Sequence, residues 1–227
     1  MTEVRDRLAL ALDVDDLDDA LVLARRLEPW FGIAKVGYEL YGTAGPEAFD
    51  RLRDMGFQVF ADLKLHDIPT TVERGARSLA RHGVGFVNAH AAGGEVMLRA
   101  FVAGLHEGAR DVGAEPPAAL AVTVLTSEPD ANAFDARLDR ARVAGCDGVV
   151  CSAYEIARVS AVGLTSMVPG IRLPDTDLHD QARAVTPADA LAAGATWLVV
   201  GRTVTAASDP EAAADQVSRS AAAGSMA

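Results

Sequence analysis

An unusual set of charged residues follows one apolar segment of the chain. The stretch FADLKLHDIPTT, residues 60–71, places Asp62, Lys64 and Asp67 close together. The chain has 21 lysines and arginines, of which the two lysines are Lys35 and Lys64. An ammonium group can release a proton, whereas a guanidinium effectively cannot. A lysine between two aspartates therefore indicates a site that needs a proton donor. The alternative is that its position reflects random drift in amino-acid composition.

The spacing of Asp62 and Lys64 indicates that they act together. Residues two apart on a strand point to the same side, so both would face one interior. Buried charges are costly unless they are paired, and Lys35 on the preceding apolar segment could supply the pairing. Such a cluster could also be a structural ion network with no chemical role.

The elements that must carry these residues alternate between strand-like and helical patterns. Apolar runs typical of strands occupy 8–13, 32–37, 57–64, 85–90, 119–125, 147–153, 164–170 and 196–201. Helical patterns lie at about 15–28, 43–55, 70–82, 94–108, 132–144, 153–161, 186–193 and 209–222. Eight such units predict an α/β fold, a single-domain (β/α)8 TIM barrel over residues 1–227. A doubly wound open sheet is the alternative, and 218–227 are expected to form a frayed tail.

In a barrel of this kind, chemistry collects where the strands end. Polar residues do cluster there: Asp13 ends the first strand, and Gly170 with Arg172 ends the seventh. Gly201 and Arg202 follow the eighth strand, where a glycine allows close backbone approach and an arginine offers a forked cation. These last two strand ends predict a phosphate site, with the loop 170–183 as a possible lid.

Asp67 has a simpler interpretation from position alone. It precedes Ile68-Pro69 and the helical pattern at 70–82, which favours a helix cap.

Composition limits the classes of partner. The net charge of −11 argues against nucleic acid and anionic membranes, and no apolar run reaches the ~18 residues of a membrane span. Without a signal-peptide pattern, a cytoplasmic location is expected. Cys146 and Cys151 do not form a Cys-x-x-Cys pair and are expected to be buried, reduced thiols. No metal-site motif is present.

The segment from Asp62 to Pro69 resembles the Asp-x-Lys-x-x-Asp-Ile-Pro signature of the orotidine 5′-phosphate decarboxylase family. The similarity continues along nearly the whole chain, in AKVG (34–37), NAHAAGG (88–94), VTVLTS (122–127) and VGRTVTAASDP (200–210). The resemblance implies conversion of orotidine 5′-phosphate to uridine 5′-phosphate by a homodimer that uses no metal or organic cofactor.

The same resemblance implies a role for each matching residue. The catalytic residues would be Lys35, Asp62, Lys64 and Asp67, with Asp67 given to the neighbouring subunit's site. The substrate-binding residues would be Asp13, Lys35, Thr71 (also from the neighbour), Ser127, Gly170, Arg172, Gln181, Gly201 and Arg202. Within this set Ser127 would contact the pyrimidine, and Gln181 with Arg202 would hold the phosphate.

Two other functions stay open at this point. A keto-gulonate-phosphate decarboxylase or hexulose-phosphate synthase resembles the same Asp-x-Lys-x-x-Asp pattern but looks magnesium-dependent. A barrel that binds nucleotides without catalysis is the second alternative.

Overall fold

The computed structural model describes residues 3–124, 133–173 and 185–225. Eight parallel strands form a closed barrel in sequential order, which confirms the (β/α)8 prediction and excludes the open sheet. The strands are β1 (Leu8–Leu12), β2 (Ile33–Val36), β3 (Gln58–Leu65), β4 (Phe86–His90), β5 (Ala118–Val122), β6 (Gly148–Val150), β7 (Thr165–Val168) and β8 (Trp197–Val200).

Helices follow the strands and cover the outside of the barrel. They are α1 (Leu17–Leu27), α2 (Tyr38–Ala44), α3 (Glu47–Asp54), α4 (Pro69–Ala80), α5 (Glu95–Asp111), α6 (Phe134–Ala144), α7 (Ile156–Ala161), α8 (Pro187–Ala192), α9 (Arg202–Thr205) and α10 (Pro210–Gly224). None of the helices in the described ranges is both long and apolar enough to cross a membrane.

Two details differ from the sequence-based expectations. The helix predicted at 43–55 begins only at Glu47 as α3, and a separate helix, α2, precedes it from Tyr38, because Gly45 adopts a φ of 57° and the chain turns there before Pro46. The expected frayed tail is also wrong over most of its length, since α10 continues to Gly224. Ala221 and Gly224 are buried, and Gly224 lies directly against the backbone of Ala188 in α8, so packing stabilises this end.

The strands are buried on both faces, which explains their nearly continuous apolar sequences. Their outward side chains pack against the helices in the main core. The inward side chains fill the barrel with a second, smaller cluster: Ala9, Ala11, Ile33, Phe60, Phe86, Leu120, Met167 and Val199. Polar inward positions come at the carboxyl ends of the strands, above this apolar layer.

Helices α4 and α5 approach each other closely because α5 carries two glycines on the contact face. A Cβ atom added at Gly104 would lie 2.2 Å from the carbonyl oxygen of Glu73, and one at Gly108 would lie 2.2 Å from that of Arg77. Neither neighbour is a flexible side chain, so an added methyl group has to push the helices apart.

We expect Gly104→Ala to destabilise the protein by about 1–3 kcal/mol, because the new methyl group overpacks the contact. For a chain of this size that corresponds to a fall in melting temperature of at least ~2 °C. Gly42→Ala is the matched control, since nothing lies within 4 Å of a Cβ at this position of α2. It should be neutral or slightly stabilising. Thermal unfolding followed by circular dichroism measures both, and equal melting temperatures would contradict the account.

Candidate active site

A cavity of about 470 Å³ opens at the carboxyl ends of the strands. This volume lies within the ~300–1,000 Å³ range that is typical of small-molecule sites. Its apolar lining includes side chains of β3, β5 and β6 and of the residues that follow β5 and β6: Phe60, Val122, Val124, Val150 and Cys151. The polar side chains of its lining are Asp13, Lys35, Asp62, Lys64, Arg172, Arg202 and Thr205, and Gly170 and Gly201 also line it. The structure thus brings together eight of the residues selected from the sequence.

The carboxylate of Asp62 is the centre of the polar cluster. Its Oδ1 atom lies 2.7 Å from the Nζ atom of Lys64 and accepts a hydrogen bond of 2.7 Å from the amide of Asn88. Its Oδ2 atom lies 3.3 Å from the Nζ atom of Lys35, which in turn donates a 2.8 Å hydrogen bond to Asp13. The predicted pairing of Lys35 and Lys64 with Asp62 is therefore present, and the cluster also includes Asp13.

Lys35 remains charged although it is almost completely buried. Burial by itself would lower the pKa of this lysine, but the carboxylates of Asp62 and Asp13 more than offset burial, and the pKa is raised. Lys35 consequently holds a proton throughout the neutral range and serves as a fixed positive charge. Lys64 is the more accessible of the two ammonium groups, with a side chain that is 26% exposed.

The backbone of Lys64 is unusual. Its φ of 46° lies in the left-handed region, where non-glycine residues are uncommon, and among the described residues it is the one non-glycine with a positive φ. At the same place the pairing of β3 with β4 shifts register between Ala61 and Leu65. The bulge turns the Lys64 side chain into the cavity, close to Asp62.

The opposite end of the cavity carries the two predicted loop glycines and two arginines. Gly170 has a φ of 83°, a conformation that suits glycine. Arg172 is buried, and its Nη1 atom donates hydrogen bonds to the carbonyl of Ile171 (2.9 Å) and to Thr203 (3.2 Å). Arg202 is exposed at the rim. Ser127, Gln181 and most of the proposed lid lie outside the described residues.

Asp67 and Thr71 are not in this cavity. Both are exposed and line an adjacent groove, which shares Lys64 with the main cavity and also contains Tyr38. The Asp67 carboxylate accepts a 2.6 Å hydrogen bond from the backbone of Ile68, and within the described ranges it forms no ion pair. The helix-cap interpretation is wrong, because α4 has Ile68 at its N-cap and no side-chain cap.

Two residues of the site were missed by sequence reasoning. Tyr38 donates a 2.8 Å hydrogen bond to the carbonyl of Leu63, and its ring lies 5.9 Å from the Nζ atom of Lys64. Asn88 received no role from the sequence, although a signal was available. A polar residue two positions after the inward-facing Phe86 also faces the barrel interior.

The pKa shifts of three further groups, His90, Cys146 and Cys151, favour their neutral forms. Burial lowers the pKa of His90, and the nearby His66 and Lys64 lower it further. Both cysteines are free and buried, as expected. Burial raises the pKa of Cys146 to about 12 and also raises that of Cys151, so neither provides a thiolate nucleophile. In the described part of the chain, no group of three or more histidines, cysteines or carboxylates could hold a metal ion.

Comparison with known proteins identifies the family. The family model for orotidine 5′-phosphate decarboxylase / HUMPS matches residues 6–217. The chain belongs to this family. It is 44% identical to an orotidine 5′-phosphate decarboxylase of Moorella thermoacetica, over 92% of this chain and 90% of the relative. It is 45% identical to one of Anaeromyxobacter dehalogenans, over 92% of this chain and 95% of the relative.

A solved structure of the family supports the same membership. The crystal structure of orotidine 5′-phosphate decarboxylase from Lactobacillus acidophilus superposes with a TM-score of 0.82 at 35% identity. The alignment covers 95% of this chain and 99% of the solved chain, so the family resemblance extends over the whole barrel.

Proposed function

We propose that this chain decarboxylates orotidine 5′-phosphate to uridine 5′-phosphate, the last step of de novo UMP biosynthesis, in the cytoplasm. The observation that carries the proposal is the Lys64 ammonium, which lies 2.7 Å from Asp62 inside a cavity whose far end holds two arginines. Such a cavity suits a substrate with a phosphate at one end and a reacting carboxylate at the other. The names of the curated relatives support the same activity.

The substrate would lie across the cavity with its phosphate at the β7 and β8 ends. Arg202 would bind the phosphate together with the backbone near Gly170 and Gly201, with Gln181 from the proposed lid. Arg172 lies in the same wall and adds positive charge there. A locally cationic end is compatible with the net charge of −11, because short-range contacts outweigh a screened global field.

The ribose and the base would occupy the middle of the cavity. Asp13 and Lys35 form a hydrogen-bonded pair at the carboxyl ends of β1 and β2. This pair suits the hydroxyl groups of a ribose. Ser127 would contact the pyrimidine. In this proposed arrangement, C6 of the base, which carries the carboxylate, would lie near Asp62 and Lys64.

The chemistry requires an electron pair to be stabilised at C6. When the bond between C6 and the carboxylate breaks, carbon dioxide leaves and the electron pair stays on C6 as a vinyl carbanion. The Lys64 ammonium would stabilise that charge and then transfer its proton to C6, which gives the product. Asp62 would face the departing carboxylate, and their repulsion would be relieved as carbon dioxide leaves. Lys35, whose pKa is raised, stays protonated beside Asp62.

We also infer that the active unit is a homodimer in which Asp67 and Thr71 serve the neighbouring site. Both are exposed on the groove that opens onto Lys64, and Asp67 forms no ion pair among the described residues. Tyr38 and Ile68 beside them are about two-thirds exposed, which is unusual for large apolar side chains. A second copy would cover them and bring its own Asp67 towards Lys64.

The purified protein should consume orotidine 5′-phosphate in the presence of a chelator, measured as the loss of ultraviolet absorbance. The reaction should yield one carbon dioxide and one uridine 5′-phosphate. Absence of turnover would contradict the proposal. Activity that appears only with magnesium and a sugar phosphate would instead select the hexulose-phosphate synthase or keto-gulonate-phosphate decarboxylase alternative.

The shared site makes a separate prediction. Lys64→Ala and Asp67→Ala should each be inactive, and mixing them should restore about one quarter of the wild-type rate. Half of the mixed dimers are hybrids, and each hybrid has one intact site of two.

Mixing Lys64→Ala with Lys35→Ala is the control for this experiment. It should restore nothing, because Lys35 and Lys64 bind the same Asp62 of one chain. If subunit exchange is verified by mass and the first mixture stays inactive, the shared site is wrong.

A further inference from the structure

Asn88 is a completely buried polar residue directly beneath the charged cluster. It lies on β4 with its side chain on the inward face, two residues after Phe86. Both ends of its amide are used. The Oδ1 atom accepts a 2.7 Å hydrogen bond from the backbone N–H of Lys64, and the Nδ2 atom donates one of 2.7 Å to Oδ1 of Asp62.

The bulge in β3 explains why this side chain is needed. Ladder pairing between β3 and β4 stops at Ala61–Val87 and resumes at Leu65–Ala89. Three residues, Asp62 to Lys64, are therefore outside the regular register. Asn88 replaces the missing ladder contact at Lys64, where the backbone adopts its left-handed conformation.

Neither a carboxylate nor an aliphatic side chain could satisfy both contacts at neutral pH. The backbone N–H of Lys64 needs an acceptor, and the Asp62 carboxylate needs a donor. The Asn88 amide supplies one acceptor and one donor. These two contacts also fix its orientation, with Oδ1 towards Lys64 and Nδ2 towards Asp62. A carboxylate at this position would face Asp62 at hydrogen-bond distance and repel it, and an aliphatic side chain would leave both groups without a partner.

We propose that Asn88 is a positioning residue for catalysis, which holds the Lys64 backbone and the Asp62 carboxylate in one fixed relation. This inference rests on the proposed function. Asn88 is fully buried and does not line the cavity, so it does not itself touch the reacting atoms. By anchoring both partners, it sets the direction from which the Lys64 ammonium approaches C6.

The test compares Asn88→Ala with a matched control, Ser166→Ala. Ser166 is also buried and bridges two strands, since its side chain accepts a 3.1 Å hydrogen bond from Thr196, but it does not line the cavity. In Asn88→Ala we expect kcat to fall by about 100-fold, as for a misplaced reacting group. The dissociation constant for uridine 5′-phosphate should change by less than about threefold. Ser166→Ala should keep the wild-type kcat.

Asn88→Asp gives a second readout that a purely structural role would not produce. When the introduced carboxyl group carries a proton, its hydroxyl can donate to Asp62 as the amide does. When that proton is lost, the two carboxylates repel each other. The ratio of variant to wild-type kcat should therefore fall as the pH rises. A ratio that is near one and independent of pH would overturn the proposal.

A third readout does not depend on turnover, so it separates this inference from the proposed function. The chain has two lysines, so reductive methylation with ¹³C-formaldehyde labels few sites, and the Lys64 signal can be assigned with Lys64→Arg. The signal should move in Asn88→Ala and stay in place in Ser166→Ala.

The outcomes are distinguishable. If the wild type is inactive on orotidine 5′-phosphate, the proposed function fails, and the Lys64 signal alone decides the role of Asn88. An unchanged kcat, or an unmoved signal, in Asn88→Ala overturns that role. Failure of both Asn88 variants to fold would also overturn it, since Asn88 would then be needed for the fold itself.

Discussion

The active end of this barrel depends on surrounding one buried carboxylate with hydrogen-bond donors. Asp62 is about nine-tenths buried, and a carboxylate in such a place is costly unless donors surround it. Lys35, Lys64 and Asn88 supply those donors from three neighbouring strands. The burial of Lys35, the bulge in β3 and the polar residue inside β4 all follow from this requirement.

In the same arrangement, the two lysines differ in how firmly their ammonium groups are held. Lys35 is held between two carboxylates and acts as a fixed charge, whereas Lys64 is bound on one side and remains partly open to the cavity. A proton donor has to be positioned and still free to move towards its acceptor. The Lys64 ammonium meets both conditions, because Lys35 already balances part of the negative charge of Asp62.

Much of this structure could be predicted from the sequence. All eight strands lie where apolar runs predicted them, since strands covered on both faces need such runs. The contacts of Asp62 with Lys35 and Lys64 followed from strand parity and from the need to pair buried charges. These features depend on periodicity and pairing, which sequence records directly.

Other features could not be read in this way. The left-handed backbone at Lys64 and its bond to Asn88 depend on the register between β3 and β4, which no local pattern encodes. Asp67 looked like a helix cap because its position suits one, yet its carboxylate bonds only to the next residue among those described. Its proposed partner would lie on a second chain, beyond the reach of single-chain reasoning.

The most direct test of the account is the single-turnover rate of Lys64→Arg on orotidine 5′-phosphate. Arginine keeps the positive charge beside Asp62 but cannot give up a proton. The account predicts a loss of at least ~100-fold in rate, with uridine 5′-phosphate still bound and the melting temperature retained. A rate close to that of the wild type would contradict it, because charge alone would then suffice and Lys64 would not be the proton donor.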